Sequence, residues 1–204
     1  SGTLTATDID LTNTVSISNI SVSSSDTTDG LISSPTELLN MLSVSPVQVL
    51  DGTQTVNQFT WSFNSAPQAN TNPESFDYLA NGETLTLTYT LTLSDGESGT
   101  TPDTHNIVIT INGTNDDPQI TGVVTTGSLT EASTLSDSGS ITFSDIDKSN
   151  RPSASKATHA ITAVRVDGET SFNLTPEQFN ALEAGFTIST VAGAANTGTV
   201  NWDY

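Results

Sequence analysis

Thr84-Leu85-Thr86-Leu87-Thr88-Tyr89-Thr90-Leu91-Thr92-Leu93 alternates threonine with a large apolar residue without a break. In an extended chain, successive side chains point to opposite faces, so this stretch has one apolar face and one hydroxyl-rich face. That is the pattern of a β-strand with one buried side, and the branched threonine Cβ suits a pleated surface. Working outward, further strands are expected at Gly2–Thr7, Val15–Val22, Val47–Leu50, Val56–Phe63 and Asn106–Asn112. Ser94-Asp95-Gly96-Glu97 opens the loop that folds Thr84–Leu93 and Asn106–Asn112 into a hairpin, while Asp51-Gly52 and Asp167-Gly168 mark other turns. The helical signal is short and occurs twice. Ser34 and Thr175 offer N-cap hydroxyls, Pro35 and Pro176 fit the first helical position, and acids follow where the helix dipole favours them.

The 204 residues suffice for one large domain or two smaller ones. There is no cysteine, so the fold rests on its core, its backbone ladders or bound metal. No stretch approaches the apolar length of a membrane helix, and membrane insertion is not expected. No signal-peptide pattern follows Ser1, which places any secretion address outside these residues. With 23 acidic side chains against 4 basic ones, the formal net charge is −19, which disfavours binding to a nucleic-acid backbone. The cations, Lys148, Arg151, Lys156 and Arg165, stand together in one stretch, read as a solvated loop. Carboxylates from Ser1 to Asp147 therefore find no basic side chain among their own segment. They must be solvated, used in turns, or neutralised by cations from solution.

The chain also resembles itself. Gly2-Thr3-Leu4-Thr5-Ala6-Thr7-Asp8-Ile9-Asp10 recurs as Gly139-Ser140-Ile141-Thr142-Phe143-Ser144-Asp145-Ile146-Asp147. Ser34-Pro35-Thr36-Glu37 recurs as Thr175-Pro176-Glu177-Gln178, and Trp61-Ser62-Phe63 as Trp202-Asp203-Tyr204. Landmarks in one order at nearly one spacing imply a tandem repeat, with residues 1–118 and 119–204 as the two copies, divided at Asn115-Asp116-Asp117-Pro118. The first copy has no match to Ile120–Glu131, so its first strand is missing; the second lacks everything that matches Asn64–Pro118. The expectation is a segment of a longer array, or else a module that strands from another chain complete.

The acids gather at one end of the inferred topology. If a strand from Ser128-Leu129 enters the second copy, Glu131 lies near its entry and Gly139–Ser144 runs back to deliver Asp145 and Asp147 there. The linker Asn115, Asp116 and Asp117 meets them. Hard carboxylate and amide oxygens in that number suit Ca2+, which takes 6–8 such ligands and binds extracellular modules at about 10⁻⁴–10⁻³ M. Zinc or copper is disfavoured without cysteine and with only His105 and His159. Singly, Asp-Ile-Asp and Asn-Asp-Asp-Pro also read as turn formers. By the same geometry Asp8, Asp10, Asp95 and Glu97 form the corresponding end of the first copy.

Ala80-Asn81-Gly82-Glu83-Thr84-Leu85-Thr86, Ser94-Asp95-Gly96 and the close Ile109-Thr110-Ile111-Asn112-Gly113-Thr114-Asn115-Asp116-Asp117-Pro118 together resemble the signature of VCBS repeats. Thr130-Glu131 and the Asp-x-Asp at Asp145–Asp147 fit it as well. These are cadherin-like or immunoglobulin-like modules of giant RTX-type adhesins of Gram-negative bacteria. The resemblance implies tandem antiparallel Greek-key β-sandwiches with Ca2+ at the domain junctions; the one short helical turn per repeat, read from the caps at Ser34 and Thr175, is a departure from it. The resemblance also implies secretion to the cell surface, an extender role in adhesion and biofilm, and neighbouring repeats of the same chain as partners; other copies of the chain are expected as partners from the missing strands and the basic cluster instead. The stretch Ser23–Phe63 departs from the VCBS pattern by making the repeat long.

No catalytic constellation stands out, and the chain is read as non-enzymatic. His105 and His159 belong to no motif, and abundant serine and threonine make a nearby hydroxyl uninformative. Trp61 and Phe63 share a strand face and are expected to pack in the core.

Overall fold

The computed structural model describes residues 1–70, 73–130, 135–165, 171–190 and 195–204. Glu131 and the Asp167-Gly168 turn lie outside the described residues. The chain forms two units, Ser1–Asn115 and Asp116–Tyr204. The Asp116 backbone N–H, at the start of the second unit, donates to the carboxylate of Asp147 at 3.0 Å. Both units are built on antiparallel strands.

In the first unit, Gly2–Thr7 (β1), Val56–Phe63 (β5) and Leu42–Ser45 (β3) form a sheet in the order β1-β5-β3. Gln48–Asp51 (β4), Thr14–Asp26 (β2), Thr84–Ser94 (β6) and Asp103–Asn112 (β7) form a second, in the order β4-β2-β6-β7. One apolar cluster joins the two sheets in a sandwich-like core: Ala6, Leu42 and Phe59 come from the first, and Ile17, Val49 and Ile107 from the second. Strand β6 fills the middle. Leu85, Leu87, Tyr89 and Leu91 are fully buried, and their alternation with threonine is the one read from the sequence.

Ladder pairing explains where strand ends differ from the apolar pattern. β2 runs on to Asp26 through a serine-rich stretch because β6 pairs with it as far as Asp26 opposite Leu85. β7 begins at Asp103, opposite Leu93 of β6, rather than at Asn106. β3 was not anticipated. Trp61 and Phe63 pack against the core as expected, and the Phe63 ring meets Tyr89 edge-on at 6.4 Å.

The helix Pro35–Asn40 (α1) carries the expected cap. The Ser34 hydroxyl accepts from the Glu37 backbone N–H, and the Glu37 carboxylate accepts from the Ser34 N–H. It buries Leu38, whose carbonyl accepts the Tyr89 hydroxyl at 2.7 Å, which ties helix to sheet. Glu74, only 4% exposed, holds the loop before the helix by accepting from the backbone N–H groups of Ile32 and Ser33.

In the second unit, Gln119–Val123 (β8), Ser138–Ser144 (β9), Thr197–Asp203 (β13) and Thr187–Thr190 (β12) form a sheet in the order β12-β13-β9-β8. Ala163–Val164 (β10) and Ser171–Phe172 (β11) make a small pair, and Pro176–Gly185 forms α2. Two sequence expectations are corrected. The strand that enters this unit is β8, not Ser128-Leu129; Ser128 instead donates its N–H to Asp137 at the start of β9. The helical element here is ten residues long, more than a single turn, and is closed by Thr175 and Gln178 as by Ser34 and Glu37.

The strands shared in order, β1-β5-β3 and β9-β13-β12, also share a close contact. Gly2 lies opposite Trp61 and Gly139 opposite Trp202. A Cβ on either glycine would stand 2.7 or 2.5 Å from the indole, so in both places the ring approaches too closely for any residue but glycine.

Burial pushes the Tyr89 phenol up to about 12, and burial with the charges of Glu74 and Glu83 takes Tyr78 to about 12 as well. A phenol whose acidity falls on folding stabilises the native state below its unfolded value of about 10 and loses that contribution as pH rises toward 12. The melting temperature, followed by circular dichroism, is expected to be level up to about pH 10 and to fall above it. Tyr89→Phe flattens part of that fall and at neutral pH costs about 1 kcal/mol in a denaturant titration, since the Leu38 carbonyl loses its donor.

Candidate metal centre

Asp145-Ile146-Asp147 follows the end of β9 and turns at once. The Asp147 N–H donates to the Asp145 carboxylate at 3.0 Å, which folds the two acids toward one side. The next turn brings back Asn150, whose N–H donates to the Asp147 carbonyl at 3.2 Å. Its side-chain amide spans both acids, donating to Asp147 Oδ2 at 2.9 Å and to Asp145 Oδ2 at 3.5 Å. From the other side Asp116 donates its backbone N–H to the same Asp147 oxygen. Asn196, just before β13, pairs with the Asp145 backbone in both directions.

Burial separates this cluster from an ordinary acidic turn. Asp145 is 4% exposed and Asp147 is 0% exposed. Withdrawing two neighbouring carboxylates from water is costly unless a positive charge or several donors compensate. The Arg151 guanidinium donates to the carbonyls of Lys148 and Asn150. Asp116 is half-buried beside the pair. The loop offers hard oxygens: the carboxylates of Asp145 and Asp147, spanned by the Asn150 side chain, with Asp116 held on Asp147 through its backbone N–H and Asn196 held on the Asp145 backbone. That set fits Ca2+ in chemistry. Among the described residues, however, no three acidic, histidine or cysteine side chains already stand in a metal-holding arrangement.

The other expected ligands are distributed as follows. Asp117 is exposed, and its carbonyl accepts from Gln119. Asn115 is exposed and closes the first unit. In that unit, Asp8 and Asp10 repeat the local turn, with the Asp10 N–H on the Asp8 carboxylate at 2.9 Å and the Asn13 N–H on the Asp10 carbonyl. The turn there is open, since Asp8 is half-buried, Asp10 exposed and Ile9 92% exposed. Asp8 and Asp95 line one groove of about 290 Å³ with Asp103 and His105, whereas Asp10 and Glu97 do not. Asp95 is a loop fastener: it accepts from the Glu97 N–H and the Thr100 hydroxyl, which hold its carboxyl below the usual carboxylate range.

Sequence reasoning missed Asn150 and Asn196. Asn150 was legible, because Asn13 and Asn150 stand at the same distance behind their Asp-Ile-Asp triplets. Asn196 carried no local signal and is placed only by the pairing of β13 with β9.

No family model matches the chain, and the search of curated proteins found no match.

Asn150→Ala removes the amide shared by two buried acids. In chelator it is expected to cost the second unit about 1.5–3 kcal/mol, the range for a hydrogen bond to a charged group. Amide exchange along Ser138–Ser144 reads this loss, with exchange along Thr84–Ser94 unchanged.

Proposed function

We propose that the chain is a stretch of calcium-stiffened extender repeats from a secreted bacterial surface adhesin, with a mechanical rather than a catalytic role. The observation that carries the reading is the buried pair Asp145 and Asp147. Two carboxylates are withdrawn from water beside further oxygen donors, where a divalent cation would offset their charge. The pair also stands where the chain enters the second unit, as Asp116 ties the first residues of that unit to the loop. A cation there would order the entry segment, which is the property an extender needs.

The residues would divide the task by chemistry. Asp145 and Asp147 supply the charge that attracts the ion, and Asn150 and Asn196 orient the loop. Asp116 would close the set from the entry side. The resemblance of Gly113-Thr114-Asn115-Asp116-Asp117-Pro118 to the close of VCBS repeats supports the adhesin setting and the surface of a Gram-negative bacterium as the location. The net charge of −19 agrees with a role in calcium-rich surroundings, since such a chain repels itself until counterions screen it.

Calcium at about 100 times its dissociation constant is expected to stabilise the second unit by about 2.7 kcal/mol. Thermal melting in calcium and in chelator measures this, with magnesium as the control for charge screening. Asp147→Asn abolishes the calcium-dependent increment and leaves the melting of the first unit in place. An equal midpoint in calcium and chelator sinks the proposal.

A further inference from the structure

The two units bury their apolar side chains very unequally. Among the described residues the buried apolar side chains belong to the first unit, with Val200 and Trp202 as the exceptions. Yet the sheet of the second unit presents a continuous apolar face of Ile120, Ile141, Phe143, Ile188, Val200 and Trp202. This face lines a cavity of about 530 Å³, loosely covered by residues 152–157. Ile120 is 67% exposed, and Ile141, Phe143 and Ile188 are only half-buried. Helix α2 buries no side chain, while α1 buries Leu38. Leu182 on α2 stays 38% exposed.

The first unit shows what covers such a face. There the equivalent strands β1, β5 and β3 pack through Ala6, Phe59 and Leu42 against β2 and the β6–β7 hairpin. β2 begins directly after Asn13, and in the second unit the segment directly after Asn150 is Arg151–Thr162, which is irregular and mostly exposed. The physical cause is a missing neighbour. β2 is held along most of its length by β6, from Ser16 opposite Ser94 to Asp26 opposite Leu85, and the second unit contains no strand of that kind among its described residues.

We propose that the apolar face of the second unit is a docking surface for a β-hairpin with the chemistry of residues 84–112. The hairpin is supplied from outside these 204 residues, and residues 151–163 become the strand that pairs with it. Two observations select this occupant. The chain's own hairpin is already engaged: β6 is paired on both edges, by β2 and β7, and its apolar face is buried. A folded second copy would be engaged in the same way. Charge agrees as well. The cations Lys148, Arg151, Lys156 and Arg165 all lie on or beside the segment that would pair, and a hairpin of this type brings Asp95, Glu97 and Asp103 with no lysine or arginine. Calcium plays no part in the docking, so it stands apart from the extender reading.

The experiment uses the full chain in chelator, so that a failure of calcium binding cannot affect it. One arm adds a peptide of residues 84–112 in trans, with a scrambled peptide as control. The other extends the chain after Tyr204 by a copy of residues 64–118, in the order those residues follow Phe63. Hydrogen exchange read by mass spectrometry along 151–163 and 176–185 is expected to slow by about tenfold or more in either arm, as formed ladders protect their amides. Unchanged exchange in both arms overturns the proposal. So does protection of 151–163 that rises with the concentration of the 204-residue chain alone, which would assign the face to a second copy.

Discussion

The first unit depends on one strand, β6, being satisfied on three sides at once. Its backbone is hydrogen-bonded to β2 along one edge and to β7 along the other, and its inner face is buried without exception from Leu85 to Leu91. Everything else in that unit is arranged around this strand. β2 stays extended past its apolar residues because β6 holds it. α1 is anchored by a hydroxyl that β6 presents, since Tyr89 donates to the Leu38 carbonyl. The outward threonines let so apolar a strand sit mid-sheet without a second buried face, because each hydroxyl can meet water or a neighbour across the pleat.

The acidic loops follow a different constraint, the cost of burying charge. Asp8-Ile9-Asp10 and Asp145-Ile146-Asp147 make the same local turn, with the same carboxylate-to-N–H bond, so local geometry alone does not separate them. The second loop differs in its cover. Asp116 reaches Asp147 from the entry side and Asn150 spans the two carboxylates, and both aspartates become buried although Ile146 between them stays exposed. An exposed aspartate in a turn needs only its own backbone, whereas a buried pair needs compensation from several groups together. It is the burial of Asp145 and Asp147, more than the total acidity of the chain, that makes this loop worth testing as a cation site.

What the sequence disclosed and what it hid divide along the same physical line. Thr84–Leu93 was legible because alternation over a long run has one extended solution, and the caps at Ser34 and Thr175 were legible because capping is decided within a few residues. The Gly2–Trp61 and Gly139–Trp202 contacts were not read from the sequence, where these residues served only as repeated landmarks, because the contact is made across a strand pair. β3 and β12 were hidden because each has four residues and owes its form to a neighbour, β5 or β13. The strand expected from Ser128-Leu129 was misplaced because the pairing of β8 with β9, which makes the entry, is settled by a neighbour and not by local sequence. In the candidate site, the Asp-x-Asp pair was visible from spacing, but Asn196 comes from a strand far along the chain, and no local pattern announces it.

The same division explains why two stretches with shared landmarks reach such different ends. Features fixed locally or by one neighbouring strand, the helix caps, the turn after Asp-Ile-Asp and the glycine under the tryptophan, are present in both units. The feature that needs a distant partner is present in only one: after Asn13 the chain becomes a long strand against β6, and after Asn150 it stays irregular. A strand gains little from its own sequence, since its hydrogen bonds and most of its burial belong to its neighbours. Leu38 is buried in one helix and nothing is buried in the other for the same reason, because an amphipathic face stabilises only when there is something to bury it against. The described residues of the second unit thus share the local devices of the first, while its apolar sheet face is less buried, which is what strands without a facing layer would show.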